Sequence, residues 1–182
     1  VACGTGAHLE HLTPHYACAG VDLEPGLLQV ARGRLPDDVP LHKADMRDFD
    51  LGQTFDVVTC LFSAIGYMLT LDDLNRAVAA MARHVAPGGL LLVEPWFGPE
   101  QFIDGHRHAL LVENDDMKVC RMNISRVEGR LSVLDFHYLV AAADGISYFT
   151  ELHRMALFTI DEYRAAQGVI EVDEAARGWR QL

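Results

Sequence analysis

Two glycines near the start of the chain stand where a backbone can approach a ligand closely. Gly4 and Gly6 flank Thr5, and the residues before them read as the end of a strand. Because glycine lacks a Cβ, such a turn exposes the free N–H groups of a following helix to a ligand. The pair alone fits an ordinary tight turn equally well. An NAD site favours a further glycine three residues after Gly6, where Leu9 stands, and this weakens the dinucleotide interpretation.

Acidic residues end the next two predicted strands. Asp22 follows an apolar stretch, and a carboxylate at that position can accept both hydroxyls of a ribose. As an alternative, Asp22 caps the helix that begins near Pro25. Asp45 and Met46 come after the third strand, where a carboxylate can bind an exocyclic amine and a thioether can pack on adenine. A simple strand-ending turn is the alternative there.

The elements that must position these residues alternate between strand and helix as far as about residue 96. We predict strands at 17–23, near 41, at 55–62 and at 90–94, and helices at 7–16, 25–35 and 71–85. Continuous apolar runs at 55–62 and 90–94 indicate buried strands covered on both faces, as in a parallel sheet. Thr70 and Asp73 predict a helix cap, and Pro87-Gly88-Gly89 predicts the end of that helix. This order is typical of a doubly wound α/β fold.

The pattern changes after about residue 105. Four strands are predicted between 109 and 158, with turns at 114–116, 128–130 and 144–145, and an Asp-Gly pair is a strong hairpin signal. We therefore predict an antiparallel meander inserted at about 105–158, followed by a helix that opens near Thr159. The chain begins at the end of a strand, so we interpret residues 1–182 as a single domain whose first strand is missing.

Charge and cysteine usage exclude several classes of protein. Fifteen Lys and Arg stand against 26 Asp and Glu, which argues against a nucleic-acid partner, and no apolar run approaches the roughly 18 residues that span a membrane. The four cysteines are far apart, which predicts reduced thiols of a cytoplasmic protein and no metal site. His84 follows a predicted helix, and we expect a solvated or helix-end role for it.

The motif order resembles that of the class I S-adenosylmethionine-dependent methyltransferases, from GTG through VDLEPG, ADMRDF and FDVVTCLF to HVAPGGLLLVEPW. LFSAIGY and EPW resemble, more narrowly, the N,N-dimethyltransferases of TDP-linked 3- or 4-amino deoxysugars in macrolide pathways of the desosamine and mycaminose type. The resemblance implies a Rossmann-like sheet, S-adenosyl-L-methionine as cofactor, N-methylation of a TDP-amino sugar in antibiotic biosynthesis, and a homodimer. It also implies an N-terminal lid over the cofactor, which we expect to be missing from residues 1–182. Alternatives are a small-molecule O- or C-methyltransferase of the same fold and a non-catalytic binding module.

The resemblance also implies a role for each matching position. The cofactor would contact residues from four successive turns: Ala2, Gly4 and Gly6 at its methionine part, Asp22 and Leu23 at the ribose, Asp45 and Met46 at the adenine, and Phe62 and Ser63 at the sulfonium end.

The acceptor would contact a second set of residues. Tyr67, Glu94 and Trp96 would face it, and Arg154 and Arg177 are assigned to the diphosphate because guanidinium forks suit phosphate. Tyr67 or His106 would assist the loss of a proton from the acceptor amine.

Overall fold

The computed structural model describes residues 1–166, which divide into two compact units. Residues 1–95 and 161–166 form the parallel unit, and residues 96–160 form the antiparallel unit. Among the described residues, none of the helices is long and apolar enough to cross a membrane. That the chain is a single domain with an insertion stays a prediction.

The parallel unit alternates strands and helices in the predicted order. Its elements are α1 (Ala7–Leu12), β1 (Gly20–Asp22), α2 (Pro25–Arg34), β2 (Leu41–Lys43), β3 (Phe55–Cys60), a 3₁₀ helix (Ala64–Tyr67), α3 (Leu71–Ala82) and β4 (Val85–Val93). β1 pairs with β2 and β3 pairs with β4, both in parallel, as two two-stranded sheets. The α/β class predicted from the sequence is therefore confirmed.

The first residues of the chain contact both pairs of strands. The Cys3 N–H donates to the Val21 carbonyl at 3.0 Å, and the Val1 nitrogen donates to the Thr59 carbonyl at 2.7 Å. Val21 belongs to β1 and Thr59 to β3, so residues 1–3 lie between these strands. The glycine turn that follows is thereby placed beside their carboxyl ends.

Helix α3 has the predicted cap but ends earlier than expected. The Thr70 hydroxyl accepts a hydrogen bond from the Asp73 N–H at 3.1 Å, which confirms the cap. The helix ends at Ala82 and not at 85, because Val85 pairs with Phe55 and begins β4. Pro87-Gly88-Gly89 therefore lies within β4, where the pairing is irregular and Gly88 has a φ of +81°.

The prediction that the apolar strands are covered on both faces is wrong for part of each strand. Val58 and Cys60 are buried, but Val57 is 53% exposed, and Leu90 and Leu92 of β4 are also exposed. A continuous apolar run favours a parallel strand, whereas the residues that become covered depend on how helices lie across the sheet.

Helix α1 is shorter than the helix predicted at 7–16. It ends at Leu12, before Pro14, because proline has no N–H for the next helical hydrogen bond.

His84 is a core residue, which contradicts the solvated role expected from the sequence. Its side chain is 3% exposed, and its ring stacks on Phe49 with centroids 4.3 Å apart. Nε2 accepts the Leu51 N–H at 2.9 Å, and Nδ1 lies 2.7 Å from the Ala80 carbonyl. The ring is therefore the neutral tautomer that carries its proton on Nδ1. It ties the loop before β3 to the end of α3.

We expect His84→Ala to lower the free energy of unfolding by about 2–4 kcal/mol, because the Leu51 N–H loses its acceptor and Phe49 loses a stacked ring. Chemical denaturation followed by circular dichroism measures the change. His15→Ala, at an exposed position, serves as the control and is expected to stay within about 0.5 kcal/mol of the parent chain. Equal stability of the two variants would contradict a structural role for His84.

The antiparallel unit is the predicted meander. Strands β5 (Arg107–Glu113), β6 (Lys118–Glu128), β7 (Leu131–Ala142) and β8 (Gly145–Ala156) pair in that order, each antiparallel to the next. Gly129 lies in the tight turn between β6 and β7 with a φ of +63°, a conformation that glycine adopts without strain. After β8, helix α4 (Ile160–Ala165) confirms the helix predicted near Thr159.

The two faces of this sheet differ in chemistry. Because successive side chains point to opposite faces, the registers place buried Asn123, Ser125 and Ser132 on one face. The opposite face, which we call the apolar sheet face, carries exposed residues from all four strands: Leu111, Met122, Ile124, Leu139, Ile146, Tyr148 and Leu152.

Candidate cofactor site

The carboxylate of Asp22 holds the glycine turn. Asp22 ends β1 and is 9% exposed. Its Oδ2 accepts the Gly4 N–H at 2.7 Å, and its Oδ1 accepts the Glu24 N–H at 3.0 Å. A carboxylate oxygen can accept two hydrogen bonds, so each oxygen keeps one accepting position. Asp22 can therefore fix the turn and still accept two hydroxyl groups, as a ribose requires.

The turn itself is shaped for close approach of a ligand. Ala2, Gly4 and Gly6 have φ values of 53°, 53° and 76°, in the left-handed region that favours glycine. A Cβ added at Gly4 would meet nothing within 4 Å, whereas one added at Gly6 would lie 2.9 Å from Cδ1 of Leu35, the residue that follows α2. Gly4 leaves space beside the turn, and Gly6 lets the turn pack closely against Leu35. The residues present therefore fit a nucleoside cofactor.

Asp45 has a partner that the sequence analysis missed. Its Oδ1 accepts the Arg47 N–H at 2.9 Å, and Arg47 Nη2 donates to its Oδ2 at 2.6 Å. Arg47 Nη1 also donates to Asp73 at 2.9 Å, so the guanidinium joins the end of β2 to the start of α3. The hydrogen bonds from Arg47 hold the pKa values of both carboxyl groups below their usual range. An adenine amine bound by Asp45 must share the carboxylate with Arg47.

This pair of lowered pKa values predicts an acid dependence of stability. A carboxyl group with a lowered pKa stabilises the fold above its unfolded value, near pH 4, and that contribution disappears as the pH falls through the folded value. We expect Arg47→Met to lower the melting temperature at pH 7. The difference between this variant and the parent chain should shrink below about pH 4 and vanish once both carboxyl groups are protonated.

Thermal melts of both proteins between pH 7 and pH 2 measure this dependence. Arg83→Met, an exposed position after α3, is the matched control and is expected to melt like the parent chain at every pH. A melting difference for Arg47→Met that is independent of pH would show that Arg47 acts through packing alone.

The fourth turn contains two consecutive non-glycine residues in the left-handed region. Phe62 and Ser63 have φ values of 56° and 58°, a conformation that costs about 1–2 kcal/mol per residue. Residues with such strain concentrate at functional sites. Phe62 is 81% exposed, and the centroid of its ring lies 6.3 Å from that of His8 on α1. The first and fourth turns therefore lie close together.

Backbone hydrogen bonds bring the strand ends together. The Ala44 N–H donates to the Asp22 carbonyl at 3.0 Å and joins the ends of β1 and β2, while the Glu94 N–H donates to the Cys60 carbonyl at 2.9 Å and joins those of β3 and β4. The predicted cofactor residues thus occupy neighbouring turns of one unit. Leu23, exposed beside Asp22, and the partly buried Met46 belong to the same set of turns.

The residues expected at the acceptor are divided between the two units. Tyr67 ends the 3₁₀ helix and is partly exposed, and Glu94 binds the backbone of Phe62. Trp96, His106 and Arg154 belong to the antiparallel unit. Arg177 lies outside the described residues.

Three of these side chains have defined surroundings within the antiparallel unit. The Trp96 indole donates to the Ser132 hydroxyl at 2.9 Å. Nδ1 of His106 is buried and has no hydrogen-bond partner within residues 1–166. Arg154 lies 3.9 Å from Glu128 in an exposed ion pair.

Comparison with known proteins identifies the family. A family profile described as a methyltransferase domain matches residues 1–89. A dTDP-4-amino-2,3,4,6-tetradeoxy-D-glucose N,N-dimethyltransferase of Saccharopolyspora spinosa is 47% identical over 167 residues, which cover 91% of this chain and 67% of that protein. The crystal structure of DesVI from Streptomyces venezuelae superposes on this chain with a TM-score of 0.87 at 44% identity. The superposition covers 91% of this chain and 70% of DesVI.

A second similar structure was solved with its cofactor. CalS10 of Micromonospora echinaspora, an amino pentose methyltransferase involved in calicheamicin biosynthesis, was determined with S-adenosylmethionine bound. It is 46% identical, covers 91% of this chain and 70% of that one, and has a TM-score of 0.82.

The fold, the glycine turn and the acidic strand ends define an S-adenosylmethionine-dependent methyltransferase of class I, and S-adenosylmethionine is its cofactor. Within this class, the chain belongs to the family of sugar N-methyltransferases that these relatives represent. The resemblance predicted from the motif order is confirmed, and so are the class of enzyme and the cofactor.

Proposed function

We propose that this enzyme methylates the amino nitrogen of a TDP-linked amino deoxysugar in antibiotic biosynthesis. The single observation that best supports methyl transfer is the arrangement of the Asp22 carboxylate, which suits the ribose of the methyl donor. It accepts the Gly4 N–H and keeps one accepting position on each oxygen. The acceptor class is supported by relatives of nearly half-identical sequence whose names specify amino sugars. We place the enzyme in the cytoplasm, because its four cysteines are free thiols and cytoplasmic proteins keep their cysteines reduced.

The roles of the cofactor residues follow the order of the turns. We propose that Ala2, Gly4 and Gly6 line the methionine part, that Asp22 and Leu23 hold the ribose, that Asp45 and Met46 hold the adenine, and that Phe62 and Ser63 line the sulfonium end. When bound, S-adenosylmethionine supplies a methyl group that is already activated for transfer. The contribution of the chain is then to align the acceptor nitrogen with that methyl group, and alignment can lower a barrier by about 7–11 kcal/mol.

The acceptor amine must lose a proton before it can attack. We propose that Tyr67 or His106 receives this proton, with an expected contribution of about 10²–10⁴-fold. The buried Nδ1 of His106, without a partner in residues 1–166, is an observation in favour of the histidine. Tyr67, Trp96, Arg154 and Arg177 are proposed to surround the acceptor.

Two copies of the chain are proposed to associate through the apolar sheet face. Large exposed apolar patches mark interaction surfaces, and the same face on two copies can pair about a twofold axis. Leu111→Lys on this face is expected to give a monomer in analytical ultracentrifugation. Its neighbour Leu110 is also exposed but points to the opposite face, so Leu110→Lys is the matched control. A parent chain that sediments as a monomer would exclude the dimer.

The proposed reaction is tested with the purified enzyme, S-adenosylmethionine and a panel of TDP-linked sugars that carry amino groups at carbon 3 or carbon 4. Mass spectrometry of the products is expected to show gains of one or two methyl groups on nitrogen. Matched sugars with a hydroxyl in place of the amine should remain unmodified. Methylation of the hydroxyl sugars would support an O-methyltransferase, and cofactor binding without turnover of any acceptor would support a binding module.

A further inference from the structure

The strained pair Phe62 and Ser63 is held by residues that follow β4. Glu94 Oε2 accepts the Phe62 N–H at 2.6 Å, and the Ser63 hydroxyl donates to the Pro95 carbonyl at 2.9 Å. The Glu94 N–H also donates to the Cys60 carbonyl, just before the strained pair. We call these three hydrogen bonds the β3–β4 clasp. They connect the ends of two neighbouring strands around the left-handed turn.

The clasp explains why this conformation persists at residues other than glycine. A left-handed backbone at Phe62 and Ser63 is disfavoured, so the surrounding structure must hold it. A hydrogen bond from a backbone N–H to a charged carboxylate is among the stronger hydrogen bonds in proteins. Of the three bonds of the clasp, only that from Phe62 depends on a charged side chain. Glu94 is therefore the residue on which the turn depends most.

We propose that Glu94 is a positioning residue of the cofactor site, which holds Phe62 and Ser63 in the conformation that lines the sulfonium end. This proposal rests on the proposed role of Phe62 and Ser63, and it differs from the acceptor contact expected from the family resemblance. A carboxylate beside the acceptor nitrogen would favour the ammonium form, which cannot attack a methyl group. A carboxylate that binds the Phe62 N–H acts on the reaction through the backbone.

Three substitutions separate positioning from a charge effect. Glu94→Gln removes the charge but keeps an acceptor oxygen at the same distance from the backbone. Glu94→Ala removes the acceptor, and Glu94→Asp moves it back by one methylene. If Glu94 positions the turn, Gln should lose less than Ala or Asp, because it keeps a neutral acceptor for the Phe62 N–H. If the charge acts on the substrate, Gln should be impaired as much as Ala.

The first measurement needs no acceptor and reports on the clasp alone. Hydrogen exchange of the Phe62 amide, followed by NMR, is expected to be slow in the parent chain and in Glu94→Gln. In Glu94→Ala it should be faster by about 10-fold or more, as the loss of one charge-assisted hydrogen bond implies. Melting curves check that every variant is folded. Unchanged exchange in a folded Glu94→Ala would overturn the clasp, whether or not the proposed reaction is correct.

The second measurement compares cofactor binding with acceptor kinetics. Calorimetric titration with S-adenosylmethionine should show a dissociation constant about 10-fold higher for Glu94→Ala and within about 3-fold of the parent chain for Glu94→Gln. The KM for the amino sugar should be unchanged in both. The control is Glu100→Ala, an exposed carboxylate of the antiparallel unit. A change confined to the acceptor KM would overturn the proposal and favour a direct contact of Glu94 with substrate.

Discussion

Asp22→Ala is expected to weaken the binding of S-adenosylmethionine by about 100-fold or more. The substitution removes two charge-assisted hydrogen bonds to the proposed ribose, and it also leaves the N–H groups of Gly4 and Glu24 without their acceptor. Isothermal titration calorimetry with the cofactor alone measures the loss. The expected effect is large because one carboxylate both binds the ligand and holds the turn that lies against it.

Two further variants make this result specific. Asp22→Asn keeps one carbonyl oxygen but turns an NH2 group toward a backbone N–H, so it should be nearly as impaired as Asp22→Ala. Asp37→Ala removes an exposed carboxylate between α2 and β2 and is expected to bind the cofactor normally. Undiminished affinity in Asp22→Ala would refute the assignment of the ribose site.

Gly6→Ala is expected to lower the free energy of unfolding by about 2–4 kcal/mol. The new Cβ would sit at a φ of 76°, which is strained for any residue with a Cβ, and would lie 2.9 Å from Leu35 and 3.2 Å from Ala31. The left-handed conformation and the overpacking each contribute about 1–3 kcal/mol. Denaturant unfolding measures the loss, and weaker cofactor binding should accompany it because the turn must shift.

Helix α2 offers a matched control for this substitution. Gly33→Ala adds the same methyl group in a helix where a Cβ would meet nothing within 4 Å. Alanine is the better helix former, so this variant is expected to gain about 0.5–1 kcal/mol. If Gly6→Ala were as stable as the parent chain, the close packing of the turn against α2 would be unnecessary.

Features encoded by residues close in sequence were predictable. The Thr70 cap depends on a residue three positions away, and the meander depends on turns such as that at Gly129 between strand-like runs. The order of glycine turn, Asp22 and Asp45 likewise follows from the alternation of strands and helices, because parallel strands present their carboxyl ends at one edge. These features led to the correct fold class, and the resemblance of their motifs to a known family led to the correct enzyme class and cofactor.

Features that depend on distant partners were missed. The hydrogen bonds from Leu51 to His84, from Phe62 to Glu94 and from Arg47 to Asp73 span 33, 32 and 26 positions. The first two join a backbone N–H to a side chain, and the third joins two side chains. In each case the separation of the two groups depends on the packing of whole elements. The buried position of His84 and the role proposed here for Glu94 therefore have no counterpart in a local pattern.

The sequence by itself determined which groups gather at the strand ends: a glycine turn, two carboxylates and an aromatic residue, in the order that an S-adenosylmethionine site requires. Only the tertiary structure decided what holds those groups in place and which faces of the strands are covered, as the exposed Val57 and Leu92 show. The physical reason is the distance along the sequence over which each effect acts. Capping, turn formation and periodicity act within a few residues, whereas a hydrogen-bond partner or a covering helix is selected only after the chain has folded back on itself.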